Sequence, residues 1–135
     1  MIVDTSVLLA LFDSRDPHHA AASAAIDNTD ELLVVSPYVV AELDYLVATR
    51  IGVEAELAVL RELSGGAWEL AEFTPSDLRK AAEVVDKYRD KHIGVADASN
   101  VVLADQHQTL TIATLDRRHF DVLRPLKGGH FTVVP

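Results

Sequence analysis

Short apolar runs alternate with longer stretches of helical periodicity along this chain. Met1-Ile2-Val3 ends at Asp4, which is placed to cap a helix beginning at Thr5. Asp16-Pro17 reads as a helix start, with an alanine-rich helix running to about Asp27. Leu32-Leu33-Val34-Val35 predicts a short buried strand, and Ser36-Pro37 opens a helix towards Arg50 that breaks at Gly52. A further helix covers roughly Val53 to Leu63 and stops at Gly65-Gly66. Trp68-Glu69-Leu70 predicts a strand, then Thr74-Pro75 opens a helix with Leu78, Ala81, Ala82 and Val85 at helical spacing. Asp97 to Asp105 reads as a helix, Thr111 to Thr114 as a strand and Phe131 to Val134 as a closing strand. Short apolar strands separated by helices predict an α/β fold with a mostly parallel sheet covered on both faces.

The length, 135 residues, predicts one domain over residues 1–135. With 49% hydrophobic and 24% charged residues the chain is that of a globular protein rather than a disordered one. It has no cysteine, which excludes disulfides, thiolate zinc sites and cysteine nucleophiles, and fits a reducing cytoplasm. The longest apolar run, Val7 to Phe12, falls far short of the ~20 residues of a membrane span. Asp4 interrupts the place where a secretory signal would begin, so a cytoplasmic protein is expected. The net charge of −9 is uneven: residues 1–72 carry 13 acidic against 3 basic side chains, whereas the remainder is nearly neutral. An acidic half suits a basic protein, a divalent cation or a phosphate arriving with metal.

In parallel α/β sheets ligands bind outside the carboxyl ends of the strands, at the switch in strand order. Asp4 and Asp116 follow the first and fourth strands. Asp97 opens a helix, and like them it has an alternative reading as a cap. Glu42 does not, because it lies well inside its helix. On a helical wheel it falls beside Leu46 on the edge of the Val39-Leu43-Leu46-Val47 stripe, so it is expected to point towards the sheet. Asp44 falls on the opposite side and is expected to be the more exposed of the two. Clustered carboxylates at strand ends repel one another without a counterion, and hard oxygen ligands suit Mg²⁺ or Mn²⁺. The chemistry that uses such an arrangement is metal-assisted phosphodiester hydrolysis.

Met1-Ile2-Val3-Asp4-Thr5-Ser6, Ala41-Glu42-Leu43, Ala96-Asp97-Ala98 and Thr114-Leu115-Asp116-Arg117-Arg118-His119-Phe120 resemble, in order and spacing, the acidic motifs of PIN domains. The chain's length and its start at the first strand resemble VapC-type ribonuclease toxins of bacterial type II toxin–antitoxin pairs. The resemblance implies a three-layer α/β/α sandwich around a five-stranded sheet. It also implies Mg²⁺- or Mn²⁺-dependent endoribonuclease activity on tRNA or rRNA, leaving a 5′-phosphate and a 3′-hydroxyl. By the same resemblance Asp4 and Asp97 are metal ligands, Asp116 lies near a second position, Glu42 completes the pocket and Thr114 orients the acidic cluster. The implied partners are a VapB-type antitoxin, docked along the helices after Pro17 and Pro37, a second copy in a homodimer, and RNA.

The six histidines show no metal-ligand spacing and read as surface residues. Arg117, Arg118, Arg124 and Lys127 form either a solvated face or a guide for the RNA backbone. Asn100, one turn after Asp97, reads as a polar position facing the cleft or an ordinary one. Two other functions stand beside the nuclease. A metal-dependent phosphatase of the haloacid dehalogenase type would need an aspartate where the chain has Ser6. A non-catalytic PIN-fold binding module would have no reason to retain four clustered charges.

Overall fold

The computed structural model describes residues 1–135. Five short strands form one sheet: β1 (Ile2–Val3), β2 (Val34–Val35), β3 (Glu69–Leu70), β4 (Thr111–Ala113) and β5 (Thr132–Val134). Their order is β3-β2-β1-β4-β5, and every neighbouring pair is parallel, where the sequence predicted a mostly parallel sheet. β1 is central, with Ile2 opposite both Val34 and Ile112. The strands are narrower than their apolar runs. Leu32, expected in the second strand, is 56% exposed and lies ahead of the ladder.

Seven helices cover the sheet: α1 (Thr5–Phe12), α2 (His19–Asp27), α3 (Pro37–Arg50), α4 (Val53–Leu63), α5 (Pro75–Lys87), α6 (Val95–Gln106) and α7 (Arg117–Phe120). The period-2 alternation of the strands divides the core in two. Val3, Val35 and Ala113 point into one cluster with Val7, Leu8, Val39, Leu43 and Val47 from α1 and α3. Ile2, Val34 and Ile112 point into the other with Ala81, Val101, Leu103 and Phe120 from α5 to α7. This is the expected three-layer α/β/α sandwich. α6 is buried on every side from Ala98 to Ala104, as a helix wedged between sheet and neighbouring helices must be.

Helix starts follow their capping chemistry. Ser36 accepts from the Tyr38 amide, as its place before Pro37 predicts. The start expected at Asp16-Pro17 falls later: Asp16 accepts from the His18 amide at 2.7 Å, the same bond that Ser36 makes, but residues 16–18 form a turn and α2 begins at His19. On α5 the inward stripe is Asp77, Ala81 and Val84, while Leu78, expected inside, is 45% exposed. The cause is a capping box: Asp77 accepts from the Thr74 amide and hydroxyl, and Gln106 of α6 donates to its other oxygen at 2.6 Å. Those bonds turn Asp77 inward and Leu78 outward.

The Thr74 hydroxyl and then its amide hold the Asp77 carboxyl below the usual aspartate range. A carboxyl depressed in the folded state contributes stability above its unfolded value and loses it as pH falls through the folded one. Asp77→Ala should therefore cost about 1 kcal/mol at neutral pH. The difference from the parent should shrink in acid, as urea unfolding at several pH values would show.

Candidate active site

Asp4, at the carboxyl end of β1, occupies the N-cap position of α1, yet its side chain makes no capping bond. It turns instead into a polar network. Oδ1 accepts from Asn100 Nδ2 at 3.1 Å, and Oδ2 accepts from both Ser6 Oγ and Thr114 Oγ1 at 2.8 Å. Ser6 Oγ and Thr114 Oγ1 lie 3.2 Å apart, but each hydroxyl has a single proton and a bond to Asp4 in which to use it. As acceptors, Ser6 takes the Leu115 amide at 2.9 Å and Thr114 takes the Asp116 amide at 3.0 Å. These two hydroxyls thus tie the end of β1 to the segment that carries Asp116.

Asp97 is the third residue of α6, not its cap, and its Oδ2 accepts from the Gly94 amide at 3.1 Å. Burial raises its pKa; the Gly94 bond opposes that rise, Asp4 adds to it, His119 opposes it and Asp116 adds to it. Asp116 lies at the N-cap of α7, again without a capping bond, and its Oδ1 faces Arg118 Nε at 3.4 Å. Ser36 Oγ and Ser99 Oγ, 2.6 Å apart and buried, join the start of α3 to α6 and so bring Glu42 to the same opening as Asp97.

The four acidic residues line one cleft of about 650 Å³ at the carboxyl ends of the strands, where the order turns from β1 to β2 on one side and β4 on the other. Glu42 departs from expectation in one respect. It is exposed rather than turned to the sheet, and Thr5 Oγ1 donates to its Oε2 at 2.5 Å. Asp44 departs in the other direction. It is half-buried and lies outside the cleft, beside Glu56, whose pKa is raised by burial and then by Asp44.

Sequence reasoning missed three participants. Thr5 and Ser6 were passed over, although their places one and two residues after Asp4 are where a hydroxyl would meet a strand-end carboxylate. His119, read as a surface residue, has Nδ1 3.3 Å from Asp97 Oδ2 and 3.5 Å from Asp116 Oδ2. Its spacing of three residues from Asp116 was the available signal. Asn100 is fully buried beneath the cleft rather than facing it. The basic cluster is mostly engaged elsewhere: Arg117 donates to the Pro135 carbonyl, Arg124 to the Asp121 and Leu123 carbonyls, and Lys127 pairs with Asp105. Arg118 alone reaches a cleft carboxylate.

No three histidine or acidic side chains are close enough together to form a ready-made ion site. The donor set itself suits a hard divalent cation. Its four carboxylates are anionic oxygen donors on one cleft, and Asp97 is pushed up by burial and by its acidic neighbours, as an oxygen site wanting a counterion would be.

Residues 1–124 match the family model of the PIN domain. The chain is 66% identical to Ribonuclease VapC26 of Mycobacterium tuberculosis over 135 residues, all of both chains. Its structure resembles that of M. tuberculosis VapC20, a sarcin–ricin loop cleaving toxin, with a TM-score of 0.86 at 19% identity, covering 99% of this chain and 98% of that one. It also resembles FitAcB from Neisseria gonorrhoeae, with a TM-score of 0.62 at 20% identity, covering 97% and 96%. The two structural likenesses concern the fold, whereas the family match and the full-length relative concern descent. The chain belongs to the PIN-domain family and, within it, to the VapC ribonuclease toxins of toxin–antitoxin pairs.

Proposed function

We propose that this protein is a cytoplasmic Mg²⁺- or Mn²⁺-dependent endoribonuclease that cuts one phosphodiester bond in a tRNA or rRNA loop. The observation that carries this reading is the convergence of Asp4, Glu42, Asp97 and Asp116, from four separate chain segments, on one cleft. Asp4, Asp97 and Asp116 would hold the cation, with Glu42 completing its shell directly or through water. Bound there, a divalent cation activates water and neutralises charge on the phosphate and the leaving oxygen.

The protein's own groups supply the preorganisation. Three donors keep the Asp4 carboxylate in one orientation, so little rearrangement is needed when substrate arrives. Thr5 holds Glu42 at the mouth of the cleft, and the Gly94 amide holds Asp97. In the reaction the oxygen of the attacking water joins the new 5′-phosphate, the P–O3′ bond breaks and the 3′-oxygen takes up a proton. The purified protein should cleave structured RNA, a sarcin–ricin loop and tRNA among the substrates tried, in Mg²⁺ or Mn²⁺. Chelation with EDTA should stop it, and equal activity in chelator would refute the metal dependence.

We also assign a VapB-type antitoxin and a second copy of the chain as partners. On the helix after Pro37, where the antitoxin was expected to dock, Leu43 and Val47 face the core and are fully buried. An apolar groove of about 440 Å³ lies between α1, α3 and α4, with Val47 at its floor and Phe12, Ile51, Ala55 and Ala58 around it. That groove offers the antitoxin its contact, and an arginine or lysine at the end of the bound segment would enter the acidic cleft.

A further inference from the structure

One nitrogen donor in the cleft touches two carboxylates on different elements. His119 Nδ1 is 3.3 Å from Asp97 Oδ2, on α6, and 3.5 Å from Asp116 Oδ2, at the start of its own helix. The nearer carboxylate is therefore the one remote in sequence. The side chain is only 23% exposed, so this is not a loose surface pairing.

The remaining partners of both carboxylates are local. Asp97 is held by the Gly94 amide, and Asp116 faces Arg118. Neither interaction spans from α6 to α7. α7 has only four residues and cannot fix its own position as an isolated helix. Its anchor is Phe120, 1% exposed and packed edge-on against Phe131, which sets where the adjacent imidazole begins. Ser6 and Thr114 hold the Asp116 backbone to the end of β1, but the two carboxylates repel each other, and the side chain standing between them opposes their separation.

We propose that His119 is a positioning residue for the ribonuclease reaction: its imidazole, with Nδ1 3.3 Å from Asp97 and 3.5 Å from Asp116, holds the gap that receives a divalent cation and the scissile phosphate. This rests on the reading of the cleft as a metal-dependent nuclease site. The imidazole is the one basic side chain within 4 Å of both carboxylates. The side chain touches the candidate ligands and not the reacting atoms. Its effect is therefore on the turnover step and on metal affinity, not on capture of the RNA.

The substitutions that separate this role from simple packing are His119→Ala, His119→Asn and His119→Gln. Asparagine presents an amide nitrogen near the Nδ1 position, whereas glutamine carries its nitrogen out towards the Nε2 position. Each variant would be measured for kcat and KM on an RNA that the parent cleaves, for Mn²⁺ affinity by calorimetry without RNA, and for thermal unfolding. His119→Ala should lower kcat by about 10–100-fold, the loss typical of residues that orient metal ligands. KM should change little, and Mn²⁺ binding should weaken by a comparable factor. His119→Asn should recover most of both, and His119→Gln should not.

Parent-like kcat and Mn²⁺ affinity in His119→Ala would overturn the inference. So would a His119→Asn variant no better than His119→Gln while both unfold like the parent, a comparison that holds even where the alanine variant fails to fold. A parent that binds no Mn²⁺ and cleaves no RNA would overturn the nuclease reading instead, and this inference with it.

Discussion

Asp97→Asn is expected to abolish RNA cleavage and, at neutral pH, to raise the unfolding temperature. The loss of activity should exceed ~100-fold, since outer-shell partners alone account for losses up to that size. The stability gain has a definite sign. Burial is the main force raising the Asp97 carboxyl, and Asp4 and Asp116 reinforce it. A carboxyl raised in the folded state is at its most favourable below its unfolded value, and that contribution is lost as pH rises through the folded one. Asparagine does not titrate. The stability difference between variant and parent should therefore grow from acid to neutral pH and then level off.

Asp4→Asn should also abolish cleavage, but without the gain in stability. Its carboxylate accepts from Asn100, Ser6 and Thr114, and an amide nitrogen would turn a donor towards these donors. Asp44→Asn, outside the cleft, should leave cleavage unchanged. Thermal unfolding across pH beside a cleavage assay tests all three variants. Full activity in both Asp4→Asn and Asp97→Asn would place the reaction elsewhere.

Thr114→Val should reduce stability and activity together. The side chain is completely buried, and its hydroxyl donates to Asp4 Oδ2 while accepting from the Asp116 amide. Valine preserves the shape but removes both bonds. It leaves the Asp116 N–H without its acceptor, at a cost of about 1–3 kcal/mol. With Asp4 less constrained and the turn carrying Asp116 released from it, cleavage should fall by about 10–100-fold. Thr114→Ser keeps the hydroxyl and should stay near the parent in both respects. Denaturant unfolding and single-turnover cleavage of the two variants give the comparison. A valine variant as active as the serine one would refute the orienting role.

The parts of the molecule legible in the sequence are those governed by local chemistry. Ser36-Pro37 and Thr74-Pro75 open helices where capping rules place them, because the stabilising bonds lie within one turn of chain. The apolar runs become strands for a related reason: alternate residues must be buried on opposite faces, and only a covered parallel sheet permits that. Asp16-Pro17 has the same composition as a helix start and makes the same bond to the second amide, yet a turn intervenes and α2 begins at His19. Leu78 fails because the Thr74–Asp77 capping box and the bond from Gln106 together turn Asp77 to the inner side of α5.

The candidate site divides along the same line. Strand ends and the switch-point rule locate Asp4 and Asp116 without coordinates, because the carboxyl end of a parallel strand is where backbone packing leaves room. The helical wheel assigns Glu42 an angle about its own axis but cannot say what stands opposite. Only the fold shows that Thr5 waits there at the open mouth of the cleft. The sequence by itself thus determined the alternating elements, the parallel sheet and the acidic residues that end them. The tertiary structure alone decided that His119 stands between Asp97 and Asp116, and that Ser6, Asn100 and Thr114 converge on one carboxylate. His119 to Asp116 and Ser6 to Asp4 are local spacings, but His119 to Asp97, Asn100 to Asp4 and Thr114 to Asp4 join distant segments, and those contacts exist only once both faces of the sheet are covered and α6 is wedged beneath the cleft.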